Sequence, residues 1–348
     1  MTNPEVRIAR YGDGISVVAP AGASTVLEPS ADLDVLVLEV AGAHLTWNLL
    51  AGHRIPAAVI HDVERAQEWL WAIYGESLAV SLHDSYSATV TPEPALPPLA
   101  VSAWRLAYAH WAARWWPAST LDDIPALDPA LLDRETATLT EECESLVDGA
   151  DAIAPAVLAP VETFPRADDY ALAAGTDHPD GLVLARGVTG WDWRLCPPGL
   201  VDASERAVSW ELTRAGGTTT LGVNVAAAPN TPAEVPAYLM PWARAESSGA
   251  TVDIPLRPRP GAWFGEAPIA TTATAVHVTI HVPGFGVGEN RTAAVMRDPA
   301  VQAVRRRIRE FALARLRYAA EPPTGPDPNA YDVPLLAEIA ASAQDSDF

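Results

Sequence analysis

The sequence predicts an α+β chain. Its N-terminal part is mixed α/β and carries an aromatic-rich helix; its C-terminal part is an antiparallel β-sandwich-like domain closed by a helix. Three observations predict this. In Leu99–Trp116, LAVSAWRLAYAHWAARWW, the rings of Trp104, Tyr108, Trp111 and Trp115 follow at steps of four, three and four, which aligns them along one side of a helix. Val208, Trp210 and Leu212 alternate, Ala215-Gly216-Gly217 turns the chain, and Leu221, Val223 and Val225 alternate again, the pattern of a hairpin. Val276, Val278, Ile280 and Val282 form the cleanest period-two run, and no helical pattern separates it from the hairpin.

At 348 residues the chain reads as two domains, 1–165 and 180–320, with 321–348 as a tail. The first residues form short strands around Val6-Ile8, Ile15-Val17 and Val26-Leu27. Leu33–Val40 is nearly continuous in apolar residues, as a strand covered on both faces would be. Leu45, Trp47, Leu49 and Leu50 fit either a strand or a short helix. Asp62 caps a helix whose inward face is Val63, Ala66, Leu70 and Ile73 and which Gly75 ends. Leu78–Val90 reads as a strand, and the prolines from Pro92 to Pro98 make a rigid turn before the aromatic helix. Asp128-Pro129 starts a helix reaching about Leu146, with an acid at the cap and proline at the first helical position.

Gly181–Ala185 opens the second part as a strand. Trp191-Asp192-Trp193 follows, and on a strand its two rings would face the same way, either in the core or on a recognition surface. Val252, Ile254 and Leu256 make a further strand, and Ala262-Trp263-Phe264 a short edge-like one. Asp298-Pro299 starts a final helix with Val301, Val304, Ile308 and Phe311 as its buried stripe. Beyond it, the segment LLAEIAA either docks as a short helix or stays mobile.

Composition narrows the function. The formal charge of -21 repels nucleic acid and anionic membranes and favours a partner with a basic face. With only Cys143 and Cys196, reduced thiols in a cytoplasmic setting are expected rather than a disulfide framework. The start, MTNPEVRIARYGDG, lacks the apolar stretch of a signal peptide, and no apolar run is long enough for a membrane span.

His277 and His281 would share a metal on a helix, but on a strand they lie roughly 13 Å apart. No HExxH or other zinc pattern is present, so neither a metal nor a cofactor is expected. Gly-x-Ser-x-Gly is absent. The acids around Cys143 disfavour its thiolate, which leaves Cys196, beside Arg194, as the more reactive thiol. Gly284-Phe285-Gly286-Val287-Gly288 lacks the lysine of a phosphate loop and reads as a flexible turn, with an amide contact to an anion helped by Arg291 as the other reading. The acids Glu141, Glu142, Glu144, Asp148 and Asp151 lack the spacing of a calcium loop and read as a solvated face. Arg305, Arg306, Arg307 and Arg309 are the main basic concentration and form a possible docking face for an acidic partner.

Two segments carry a family resemblance: HWAARWWPASTLDDIPALDPALL, His110–Leu132, and WDWRLCPPGLVDASE, Trp191–Glu205. They resemble the bpX-type accessory proteins of bacterial conflict systems built on MoxR-type AAA+ ATPases and von Willebrand factor A proteins. The resemblance implies a non-enzymatic binding or adaptor role beside those two partners. Within the resembling segments Arg114, Trp115, Trp116, Trp193 and Arg194 are the candidate recognition residues. The alternative from a different class is a hydrolase using dispersed acids such as Asp122, Asp123 or Asp192.

Overall fold

A computed structural model describes residues 5–28, 33–84, 87–147, 182–247, 250–270, 275–286, 298–321 and 330–344. The chain is α+β, as its patterning predicts. It divides into two compact units, one of residues 1–116, 127–155 and 304–348, the other of 117–126 and 156–303. These limits differ from the linear division expected from sequence. The last two helices belong with the N-terminal sheet rather than closing the second domain, and residues 117–126 belong to the second unit. Asp148, Asp151, Gly288 and Arg291 lie outside the described residues.

The first unit is built on a six-stranded antiparallel sheet of β1 (Val6–Arg10), β2 (Ser16–Pro20), β3 (Val35–Val40), β4 (Ala43–Asn48), β5 (Ala57–Ile60) and β6 (Ser87–Val90). Its order is β3-β4-β5-β2-β1-β6. Alternation puts Ile8, Val18, Ala58, Leu45 and Leu38 in one cross-strand row, all buried. The edge strand β3 alternates too, with Val37 and Glu39 exposed, so the continuous apolar run covers only one face. Val26-Leu27 lies in a turn.

The helices of this unit are α1 (Val63–Tyr74), α2 (Glu76–Asp84), α3 (Pro97–Trp115), α4 (Pro129–Glu142), α5 (Pro299–Ala320) and α6 (Leu336–Gln344). Asp62 accepts from Arg65 N and Asp128 from Ala130 N, so both expected caps form. Gly75 ends α1 at φ 89, where an added Cβ would meet the Glu93 carbonyl. The expected strand Leu78–Val90 is instead helix α2 followed by the four-residue β6: Leu78 and Leu82, one turn apart, are both fully buried. Two indole N–H groups tie helices to the sheet, Trp69 to Ala41 O at 2.8 Å and Trp111 to Leu33 O at 2.7 Å.

The aromatic helix is mainly core. Tyr108 stacks between Trp104 and Trp111, ring centres 5.3 and 5.8 Å away, and Phe311 of α5 meets Tyr108 and Trp111 edge-on. The buried stripe of α5 is Arg305, Ile308, Ala312, Arg315, Leu316 and Ala319, rotated from the expected one so that two arginines face inward.

The second unit holds two antiparallel sheets. One is β11-β10-β14, from β10 (Trp242–Ser247), β11 (Ala250–Pro255) and β14 (His277–His281). The other is β12-β13-β9-β8-β7, from β7 (Leu182–Thr189), β8 (Val208–Ala215), β9 (Thr218–Ala226), β12 (Arg257–Arg259) and β13 (Ala262–Pro268). The β8–β9 hairpin keeps the expected register, Trp210 opposite Val223 and Leu212 opposite Leu221. Ala243, Ala245, Ile254, Val278 and Ile280 are buried on the smaller sheet, and Val208, Leu212, Leu221, Val223, Val225 and Trp263 on the larger. Gly265 lets β13 pass close to the end of β11, since a Cβ there would lie 2.7 Å from Pro255 O. Among the described residues no helix is long and apolar enough to cross a membrane.

Candidate functional site

The first candidate segment ends α3. Trp116 leaves the helix because Pro117 follows it, and its N–H still bonds to Ala112 O at 3.1 Å. Arg114 sits in the last turn, where the helix dipole favours a cation. Its guanidinium carbon lies 4.1 Å from the ring centre of Trp115, and all three side chains are half-buried. The structure therefore joins Arg114 and Trp115 into one stacked pair that still meets solvent.

The second segment behaves differently. Asp192 accepts from the Arg194 backbone N–H and, on both carboxylate oxygens, from the Arg194 guanidinium at 2.9 and 2.8 Å. This local fork winds residues 193–195 into a single tight turn, so the expected strand with two parallel rings does not form. Trp191 and Trp193 are each 5% exposed, and the Trp191 indole donates to Asp202 O at 2.7 Å. Trp193 is therefore part of the core, which removes it as a recognition residue. Arg194 remains partly exposed but is bound to Asp192.

Two of the acids considered for hydrolysis, Asp122 and Asp192, are ion-paired with arginines. Asp122 pairs with Arg206 at 3.2 Å, and Asp123 occupies the apex of a tight turn at φ 53, between the mutually bonded Ser119 and Ile124. Beneath that turn lies Asp202, fully buried, which accepts from Ser119 Oγ at 2.7 Å, Thr120 N at 2.7 Å, Ser204 N at 2.9 Å and Leu121 N at 3.4 Å. Burial raises the Asp202 carboxyl above its ordinary range, and the four hydrogen bonds pull against that rise. The Ser119 hydroxyl donates a hydrogen bond to Asp202 and accepts one from Asp122 N, so it serves as a cross-link in this loop.

A second carboxylate cluster was also missed from sequence. Glu338, fully buried on α6, accepts from Tyr108 Oη at 2.6 Å, from Arg315 at 2.9 and 2.6 Å, and from Leu335 N at 2.7 Å. Burial first, and Glu338 second, push the Tyr108 phenol well above its usual value, so it stays a proton donor. Glu135 of α4 adds bonds to Arg105 and to Leu336 N, both at 2.7 Å. The tail after residue 321 is thus anchored through α6. A lone acid inside the apolar run LLAEIAA is the signal that could have flagged this contact.

The arginine concentration does not make one face. Arg305 is 1% exposed, Arg309 is half-buried, Arg306 reaches Glu310 at 3.8 Å, and Arg307 donates to Leu50 O. Neither cysteine is bridged and both are buried; burial and then Glu142 push the Cys143 thiol up to about 12. The burial of Cys196 removes the access a reactive thiol needs. His277 and His281 lie on one face of β14 and are half-buried. Among the described residues no three His, Cys, Asp or Glu side chains are gathered closely enough to hold a metal ion as they stand.

Comparison with known proteins finds no matching family model, no matching curated relative and no matching solved structure. The functional reading therefore rests on the side chains themselves.

Proposed function

We propose that this chain is a non-enzymatic binding component of a bacterial complex, working in the cytoplasm as an adaptor. The observation that carries this reading is the half-exposed Arg114–Trp115 stack at the end of α3. Tryptophan and arginine are the side chains on which binding energy concentrates at protein interfaces, and stacking holds this pair in place before a partner arrives. The same unit exposes two further large apolar side chains, Trp71 and Leu96, on adjoining backbone, since Leu96 N bonds to Ala72 O. By contrast, Asp122, Asp192, Asp202, Glu135 and Glu338 are held by arginines, hydroxyls or backbone amides of the fold.

The resemblance to bpX-type proteins supplies the partners to try first: the MoxR-type AAA+ ATPase and the von Willebrand factor A protein of the same genome. Isothermal titration of the purified chain against each partner tests the proposal. Binding by either, weakened roughly 30-fold by Trp115→Ala through loss of about 2 kcal/mol, is the expected result. Failure of both to bind, or equal binding by a folded Trp115→Ala variant, overturns it.

A further inference from the structure

The five-stranded sheet of the second unit has two unlike edges. β12, three residues long and exposed throughout, reads Arg-Pro-Arg, and both proline and charge block the addition of a further strand. β7, at the other edge, is eight residues long, has no proline and carries Arg186 as its one charge. Its Leu182, Val183 and Val188 are 68%, 49% and 63% exposed. Among the described residues β7 pairs with β8 alone, so the backbone N–H and C=O groups along its outer side have no strand beside them. A bulge between Val183 and Ala185 limits the regular ladder to Ala185–Thr189. Over that ladder Ala185, Gly187 and Thr189 stand opposite Leu212, Trp210 and Val208, while Arg186 and Val188 point to the other face. The half-buried Trp210 ring lies directly on Gly187, since an added Cβ there would be 2.6 Å from it.

We propose that β7 takes up an extended segment of another protein as an added antiparallel strand, with a β-branched residue, an aromatic one and an acid in succession opposite Val188, Gly187 and Arg186. In this mode of binding the paired backbones supply affinity and the alternating side chains supply choice. Ala185, Gly187 and Thr189 are small, so a ring opposite Gly187 has room beside the Trp210 indole. Arg186 makes no ion pair among the described residues, and an acid opposite it completes a charge row whose other end is Glu211 on β8. Val188 offers exposed apolar surface to a β-branched neighbour on that same outer face. A second copy of this chain fits less well. Pairing Gly187 with Gly187 would set two Arg186 side chains diagonally on one face and bring together two chains of formal charge -21. The β7 edge and the Arg114–Trp115 stack belong to different units, so this inference and the adaptor reading stand or fall separately.

The test uses the full-length protein and a fluorescein-labelled peptide, Thr-Thr-Val-Tyr-Glu-Val-Thr, beside a second peptide with Lys in place of Glu. Fluorescence anisotropy reads binding, and amide hydrogen exchange reads where the peptide lies. Saturable binding is expected, with slowed exchange confined to residues 182–189. The Glu peptide should bind roughly 3-fold more tightly than the Lys peptide, and Arg186→Glu should reverse that order. Val188→Asp, a change at an exposed position that the fold tolerates, should weaken both peptides roughly 10-fold, and Tyr238→Ala should change nothing. Absence of saturable binding overturns the proposal, as does binding that leaves exchange at 182–189 unchanged. So does protection of those amides in the peptide-free protein: if it grows with protein concentration a second copy occupies the edge, and if it does not the chain covers its own edge.

Discussion

Among the described residues each unit buries one carboxylate completely, Glu338 and Asp202, and the two are stabilised in different ways. Glu338 in the first unit faces a cation, the Arg315 guanidinium, on both of its oxygens, with Tyr108 and a backbone amide completing its shell. Asp202 in the second unit accepts four hydrogen bonds, all from neutral donors: one hydroxyl and three backbone amides. A cation neutralises a buried charge, whereas dipoles only partly replace the water it has lost. Burial raises the Asp202 carboxyl above its ordinary range in spite of those four donors. The two carboxylates also do different jobs. Glu338 pins two helices, α3 and α5, to the C-terminal segment, while Asp202 closes a single loop against residues 201–204.

The largest effect that would break this comparison is expected at the cationic site. Glu338→Gln leaves Arg315 buried without its counter-charge and should cost about 3–5 kcal/mol, read as a fall in the urea midpoint. Asp202→Asn comes next: its amide turns one acceptor into a donor facing other donors, a loss of about 1–3 kcal/mol in the same measurement.

The pH dependence sharpens the contrast further. Because the folded Asp202 carboxyl titrates above its unfolded value, the native state holds more protons in that window. Its contribution to stability is then fully present below the ordinary carboxylate range, about pH 4, and is lost as pH rises through the raised value. Subtracting the urea-unfolding profile of Asp202→Asn from that of the wild type should isolate this falling term. The smallest expected effects are at the helix starts, where Asp62→Ala or Asp128→Ala should each cost about 1 kcal/mol, visible as a small drop in Tm.

Sequence reading succeeded where the deciding interactions are local. The Asp62 and Asp128 caps, the Ala215-Gly216-Gly217 hairpin and the ring stack on α3 all depend on neighbours a few residues apart. It failed where distant contacts decide. Nothing near Pro299 reveals that Phe311 packs on Tyr108 and Trp111, so α5 was assigned to the wrong unit. Arg305 reads as part of a docking face because its burial depends on elements far away in the chain. At Trp191–Arg194 the alternation of rings was real, but the Asp192–Arg194 fork overrode it. Of the candidate recognition residues, Arg114 and Trp115 stack on one another and are half-buried, Trp116 is half-buried beside them, and Trp193 lies in the core.

The buried Arg315–Glu338 pair joins α5 to α6 as one coupled unit. A double-mutant cycle with Arg315→Met, Glu338→Gln and the combined variant, followed by urea unfolding, tests it most directly. Coupling predicts that the double variant loses less than the sum of the singles by at least about 1 kcal/mol. Additivity within about 0.5 kcal/mol would contradict it.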